Sequence, residues 1–409
     1  MKDTFSNLDE SSRRSFLLHA AYSTLGVSLA PSYLLGAENT EPLKKPTVKP
    51  PCERVIFLYM KGGMSQADTF DPKEKGTIGG KSKPIKTQSP DLLLSDQLPK
   101  LAQQAKDLSV IRSMTRQKTG MTHPQLGSWA QMFLGKSHPV LPSSVLIASG
   151  NPGPGFLPPD YSPMPIGNAS RGIKDLLPEI NQEQLNKRVR LAQKFSSAFS
   201  HYFPHDDVKA YSDFYNQTIK FMSGDMAEPF DIQNEPGNLR AQYGNHPFGQ
   251  GALLARRLIE RGVRYIEVTS SQNWDSMHGG TNSLNRLSNE LDGTVSALMN
   301  DLRNRDMLKS TMIVVTTEFG RTPKVKGNGG RDHHPNGFSA MLAGGGIKGG
   351  IAVGETDADG RDPFPEYEPK DLHATIATAL GMTGTKIRRL PGRPSFLGGK
   401  PKPIKEILS

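Results

Sequence analysis

Polar turns between residues 275 and 334 carry Asp275, His278, Glu318, Arg321, Asp332, His333 and His334, types that bind a cation, hold an anion or move a proton. Asp275 and His278 stand three apart in a polar loop and offer one carboxylate and one imidazole. The run Asp332-His333-His334 adds another hard oxygen and two nitrogens, and Glu318 a further carboxylate. Two or three imidazoles with one or two carboxylates suit a divalent metal, zinc first, with manganese, calcium or iron as other candidates. Such an ion polarises an ester oxygen or lowers the pKa of a bound water, and Arg321 would hold an anionic group of the substrate. Two plainer readings compete: adjacent histidines do not usually share one metal, and Asp–His pairs also brace loops by hydrogen bonding.

These residues meet only if the strands carrying them end on one sheet edge. The stretch from Val263 to Thr269 is β-branched and aromatic and predicts a strand. A helix follows, with Leu284, Leu287, Leu291, Val295, Leu298 and Leu302 at three- and four-residue spacing. Met312–Thr316 is apolar throughout, as in a strand buried on both faces of a parallel sheet, and Phe338–Ala343 is a third apolar run. A right-handed β-α-β crossover then brings the polar turns to one edge, where a doubly wound fold places its ligands. The fold class expected is α/β with a mostly parallel central sheet.

Arg54–Met60 reads as another central strand, opening into a turn with Gly62-Gly63 and the oxygens of Ser65, Asp68 and Asp71. Ser65, Asp68 and Lys73, with Arg321, are the candidate substrate-binding residues. The glycines lack the spacing of either glycine-rich phosphate motif. Leu108–Met114 is the next strand, and His123 stands just ahead of a helix over 127–135, placed to bind an anion or a metal beside the first-turn N–H groups. His246 leads a helix over 251–261, and Asp371 caps a short helix stopped by Gly381. Residues 74–100 and the Pro/Gly-rich 138–165 read as exposed insertion and irregular chain, with a helical stretch after Ile180 carrying aromatic residues that serve packing.

The chain has 409 residues, a net charge of +10 and a single cysteine, Cys52. One large α/β core accommodates this length. One thiol excludes an internal disulfide and a cysteine-rich zinc or iron–sulfur site. From Lys386 onward there are seven basic residues and one acid, yet Phe396 is the only aromatic there, so a nucleic-acid partner is not expected. Ser12-Arg13-Arg14-Ser15-Phe16-Leu17-Leu18 and the mildly apolar stretch to Ala37 have the layout of a twin-arginine export signal. His19, Tyr22, Ser23, Gly26 and Pro31 interrupt that stretch, so no stable membrane span is expected. The organisation read is a signal over 1–37, a linker over 38–52 and one domain over 53–405 with insertions at about 74–100 and 138–230, exported to the periplasm or beyond.

Five motifs in order carry a resemblance: the Gly62-Gly63 turn continuing through Ser65-Gln66, Asp68-Thr69-Phe70-Asp71-Pro72-Lys73; Trp274-Asp275 with His278; Thr317-Glu318-Phe319-Gly320-Arg321-Thr322-Pro323; Gly330-Arg331-Asp332-His333-His334; and Asp371-Leu372-His373-Ala374-Thr375. Across about residues 50–405 the chain resembles the DUF1501 proteins, a bacterial family near the alkaline phosphatase and sulfatase superfamily. The resemblance implies an alkaline-phosphatase-like α/β/α sandwich and a metal-dependent hydrolase of phosphate or sulfate esters, sulfated or phosphorylated saccharides among them. Asp275, His278 and His333 or His334 resemble the superfamily's ligands to one metal. The pattern departs at Lys61, where an Asp is usual, at Glu318-Phe319, where an Asp-His pair is usual, and at Gln125, where a nucleophile is usual. Taken with the resemblance, the residues imply an exported hydrolase using metal-bound water, with Glu318, Arg321 and His123 as catalytic candidates. The alternative is a non-catalytic protein of the same fold that binds a carbohydrate or a protein.

Overall fold

In a computed structural model of the chain, residues 49–73, 82–116, 124–148, 150, 153–158, 161–171, 226–270, 272–327, 329–382 and 401–409 are described, with five more between 183 and 191; the side chains of 171 and 276–281 are not. All belong to one compact unit, Pro42–Ser409.

The strands are β1 (Arg54–Tyr59), β2 (Pro84–Ile85), β3 (Leu94–Ser95), β4 (Leu108–Met114), β5 (Ser144–Ile147) and β6 (Met164–Ile166). They continue as β7 (Tyr265–Thr269), β8 (Thr311–Thr316), β9 (Gly320–Val325), β10 (Arg331–His334), β11 (Phe338–Gly344) and β12 (Ile351–Val353). The helices are α1 (Pro99–Ala102), α2 (Leu126–Leu134), α3 (Gly237–Tyr243), α4 (Pro247–Glu260), α5 (Ser276–Asn304) and α6 (Pro369–Ala379).

Eight strands form the central sheet in the order β12-β4-β11-β8-β1-β7-β5-β6. β1 lies between β7 and β8 and is parallel to both, as the β-α-β reading requires. β11 alone runs against its neighbours β4 and β8, so the third apolar run is antiparallel within an otherwise parallel sheet. Alternation along β1 shows why both faces are covered. Ile56, Leu58 and Met60 join one buried cluster with the apolar faces of α4 and α5, whereas Val55 and Phe57 join a second with α2 and α6. Each fully buried aliphatic side chain contributes about 1.5–3 kcal/mol, which makes this three-layer burial the main source of stability. The architecture is the expected α/β sandwich with a mostly parallel sheet.

Short pieces of the two expected insertions pack into the core. Leu92, Leu94 and Leu98 have no exposed surface, and the amides of Lys100 and Leu101 donate to Asp292 on α5, so the end of this stretch packs on the core while residues 83, 86, 88, 90 and 91 stay exposed. Within 138–165, Ser144–Ile147 pairs with both β7 and β6. Its four residues, hemmed by proline, were too short to read as a strand. The aromatic residues between 202 and 221, and the export signal, lie outside the described residues.

Candidate functional site

β7, β1 and β8 are adjacent and parallel, so the turns that follow them meet at one edge. Gly62 and Gly63 both adopt positive φ, +104° and +82°. A Cβ on Gly62 would lie 1.5 Å from Asn273 Oδ1, and one on Gly63 2.3 Å from the Phe319 ring. Glycine lets the three backbones close together, and hydrogen bonds then stitch them. The Gly62 amide donates to Glu318 Oε1 at 2.7 Å, the Met64 amide to Thr317 Oγ1 at 3.0 Å, and the Trp274 amide to the Lys61 carbonyl at 2.8 Å.

At the centre of these turns lies the guanidinium of Arg321, which has no exposed surface. Its Nε donates to the Gly63 carbonyl at 2.7 Å, Nη2 to the carbonyls of Gly62 and, at 3.4 Å, Trp274, and Nη1 to the Arg331 carbonyl at 3.3 Å. Nη1 also lies 3.0 Å from Asp275 Oδ1. The peptide of Arg321 is gripped in turn by the Gln66 amide, which accepts from its N–H and donates to its carbonyl, both at 2.9 Å. Burial lowers the pKa of Arg321 from its ordinary value, and Asp275 opposes that by favouring the charged form. The donors of Arg321, expected to meet an anion, point into protein acceptors.

Asp275, 30% exposed, uses its other oxygen toward His333, whose Nε2 lies 3.6 Å from Oδ2. The His333 ring, 48% exposed, packs on Phe319 at 4.5 Å between centroids. His334 is turned elsewhere, its Nε2 2.7 Å from the Arg361 carbonyl. The antiparallel pairing of β9 and β10 explains the split: His333 sits opposite Arg321 and His334 opposite Gly320, so successive side chains leave opposite faces. Asp332 pairs with Lys326 and also departs. His278 falls in the first turn of α5, three residues beyond Asp275, with its side chain among those not described.

The donor set therefore fits a metal in part. A zinc ion with ligands at about 2.0–2.2 Å and tetrahedral angles separates its donors by roughly 3.4 Å, close to the 3.6 Å between Asp275 and His333. Among the described residues no third His, Cys, Asp or Glu joins them.

The groups expected to face substrate are occupied inside the protein. Ser65 Oγ donates to Asp68 Oδ2 at 2.6 Å, and Arg331 clasps both oxygens of Asp68 at 2.7 and 3.0 Å. Lys73 Nζ binds Asp71 at 3.0 Å and the Thr356 carbonyl at 2.8 Å. Burial pushes the Asp71 carboxyl upward despite Lys73 and Arg112 beside it. Glu318 remains at the rim, held by Gly62, by Thr317 Oγ1 at 2.9 Å and by the Tyr59 hydroxyl. Burial, with Glu318 next, raises the pKa of that Tyr59 hydroxyl. His123 lies outside the described residues. His246 caps α4, accepting from the Gly249 amide at 3.1 Å.

Two features escaped the sequence reading. Glu267, on the α2 face of β7, is partly buried and receives Gln125 Nε2 at 3.5 Å. Burial alone raises its pKa to about 7. An isolated Glu in an apolar strand was the available signal. The second is the motif at Asp371. The helix cap is Glu368, with Asp371 completing a capping box from the third helical position. Asp371 also accepts from the Lys402 amide at 2.8 Å, and Thr375 Oγ1 from the Ile404 amide at 2.9 Å, so the motif anchors the C-terminal segment.

Fold and site together define an α/β protein whose sheet edge closes over a buried Arg321 paired with the half-buried Asp275, and presents His333. The chain belongs to the DUF1501 family, described as proteins of unknown function, whose model matches residues 52–408. Among curated proteins none matches it. Solved structures similar to it include an alkaline phosphatase from the Antarctic bacterium TAB5, 12% identical, covering 82% of this chain and 100% of that one at a TM-score of 0.30. A sulfatase from Pseudoalteromonas sp. is 11% identical, with 82% and 68% covered and a TM-score of 0.33. The soluble domain of lipooligosaccharide phosphoethanolamine transferase A from Neisseria meningitidis is 9% identical, with 83% and 90% covered and a TM-score of 0.37. Among the described residues no helix is long and apolar enough to cross a membrane.

Proposed function

We propose that the protein is an exported hydrolase of phosphate or sulfate esters whose reacting centre is the Asp275–His333 pair. The observation that carries this reading is the division of one carboxylate between a fixed cation and an exposed imidazole. Arg321 fixes one oxygen of Asp275, and the other faces His333 Nε2 at 3.6 Å, the spacing of two ligands to one ion. Glu318, held by three donors, shapes the rim beside them, and His123 is assigned to the anionic end of the substrate. Asp275, His333 and His278 would hold a divalent ion, zinc by donor type, and such an ion supplies Lewis acidity and a more acidic water when bound. The twin-arginine pattern at Arg13-Arg14 supports export of the folded, loaded protein.

Elemental analysis of purified protein, with a panel of phosphate and sulfate esters, tests the proposal. It expects about one bound divalent ion per chain and turnover lost in Asp275→Asn; metal-free protein inert on every ester would overturn it. A second reading, a binding protein without turnover, is favoured by one observation: Ser65, Asp68, Lys73 and Arg321 are all engaged internally.

A further inference from the structure

The geometry points to Arg321 as a resident organic cation that takes the place of a metal ion at the strand ends, positioning Asp275 and locking three turns, so that this rim accepts no more than one external divalent ion. The cage around it is of the kind that grips a hard cation: carbonyl oxygens of Gly62, Gly63, Trp274 and Arg331 and a carboxylate oxygen of Asp275, drawn from turns far apart in the chain. A planar fork with five N–H groups can meet acceptors arriving from several directions, whereas an ammonium on a flexible stem cannot. The space is closed as well as neutralised, because Gly63 is held so near that a Cβ there would lie 3.1 Å from Arg321 Nε. Nothing of the guanidinium reaches solvent, so it acts through Asp275 and not on substrate. Arg321 is accordingly a positioning residue. The inference rests on the proposed function only in treating Asp275 as the centre of the site.

The test uses metal-free protein and does not depend on turnover. Arg321→Ala should lower the thermal midpoint sharply, and millimolar guanidinium chloride should restore most of the loss in a saturable way, with sodium chloride and urea restoring nothing and the wild type unaffected. Arg321→Lys should recover little and should gain nothing from guanidinium. A foldable Arg321→Ala protein indifferent to guanidinium would overturn the inference. If Arg321→Ala does not fold, native mass spectrometry of the wild type titrated with zinc decides. One ion lost on Asp275→Asn supports the inference, and two ions both lost on Asp275→Asn contradict it. An absence of ester hydrolysis, with guanidinium rescue intact, would remove the proposed reaction and leave this inference standing.

Discussion

Asp275 Oδ1 lies 3.0 Å from Nη1 of the wholly buried Arg321, on a guanidinium that also collects carbonyls from the turns after β1 and β7. The pair therefore does two things at once: it closes the sheet edge and fixes the carboxylate that faces His333. Removing its negative member leaves a buried charge poorly compensated, which costs roughly 3–5 kcal/mol for a fully buried pair. Asp275 keeps 30% exposure, so water offsets part of that. Asp275→Asn is expected to lose about 2–3 kcal/mol of unfolding free energy, measured in urea. A loss below about 0.5 kcal/mol would mean that Arg321 does not need this carboxylate.

The two adjacent histidines should separate cleanly. His333 faces Asp275, and His334 faces the Arg361 carbonyl. His333→Ala is expected to weaken zinc binding by at least tenfold, whereas His334→Ala leaves it within about twofold and costs about 1 kcal/mol of stability for one lost hydrogen bond. Isothermal titration on the two variants checks this, and equal losses in both would contradict the divergence of β10 side chains.

Ser65 and Asp68 are read as a brace for Arg331. Asp68→Ala breaks a two-oxygen clasp among buried groups and should cost about 3–5 kcal/mol. Ser65→Ala removes one hydroxyl and should cost on the order of 1 kcal/mol. If Ser65→Ala instead abolished binding of an ester while stability held, Ser65 would be a substrate-binding residue and not a brace.

Glu267 sets a pH dependence. Its folded-state pKa, raised by burial to about 7, exceeds the ordinary value of 4.5. Between these values the unfolded chain has released a proton that the native state still holds, so stability falls as pH rises through that window and levels off above it. The full drop from this group is on the order of 3 kcal/mol. Glu267→Gln should flatten the profile, being more stable than wild type at pH 8 and similar at pH 4; urea midpoints at both pH values measure it, and unchanged curvature would refute the assignment.

Much of this architecture was legible in the sequence. Continuous apolar runs at Arg54–Met60 and Met312–Thr316 could only be interior parallel strands, and α5 follows its leucine spacing. The convergence of the Gly62, Asp275 and Glu318 turns followed from topology. What sequence could not reveal was the identity of the cation they enclose. An arginine after a strand reads equally as a substrate clamp or as a buried tie, and only its acceptors, supplied by residues up to 259 positions away, distinguish the two. His333 and His334 posed the same difficulty: the period of two separates them once the hairpin forms, but nothing in the run itself shows that a hairpin forms. Short β5 was hidden by its flanking prolines.

The most direct measurement is the release of phosphate or sulfate from an ester panel by zinc-loaded wild type, His333→Ala and His334→Ala assayed side by side. Turnover is expected from the wild type and from His334→Ala, and none above background from His333→Ala. Turnover that persists in His333→Ala, or a wild type that binds no metal and releases nothing, would contradict the proposed function.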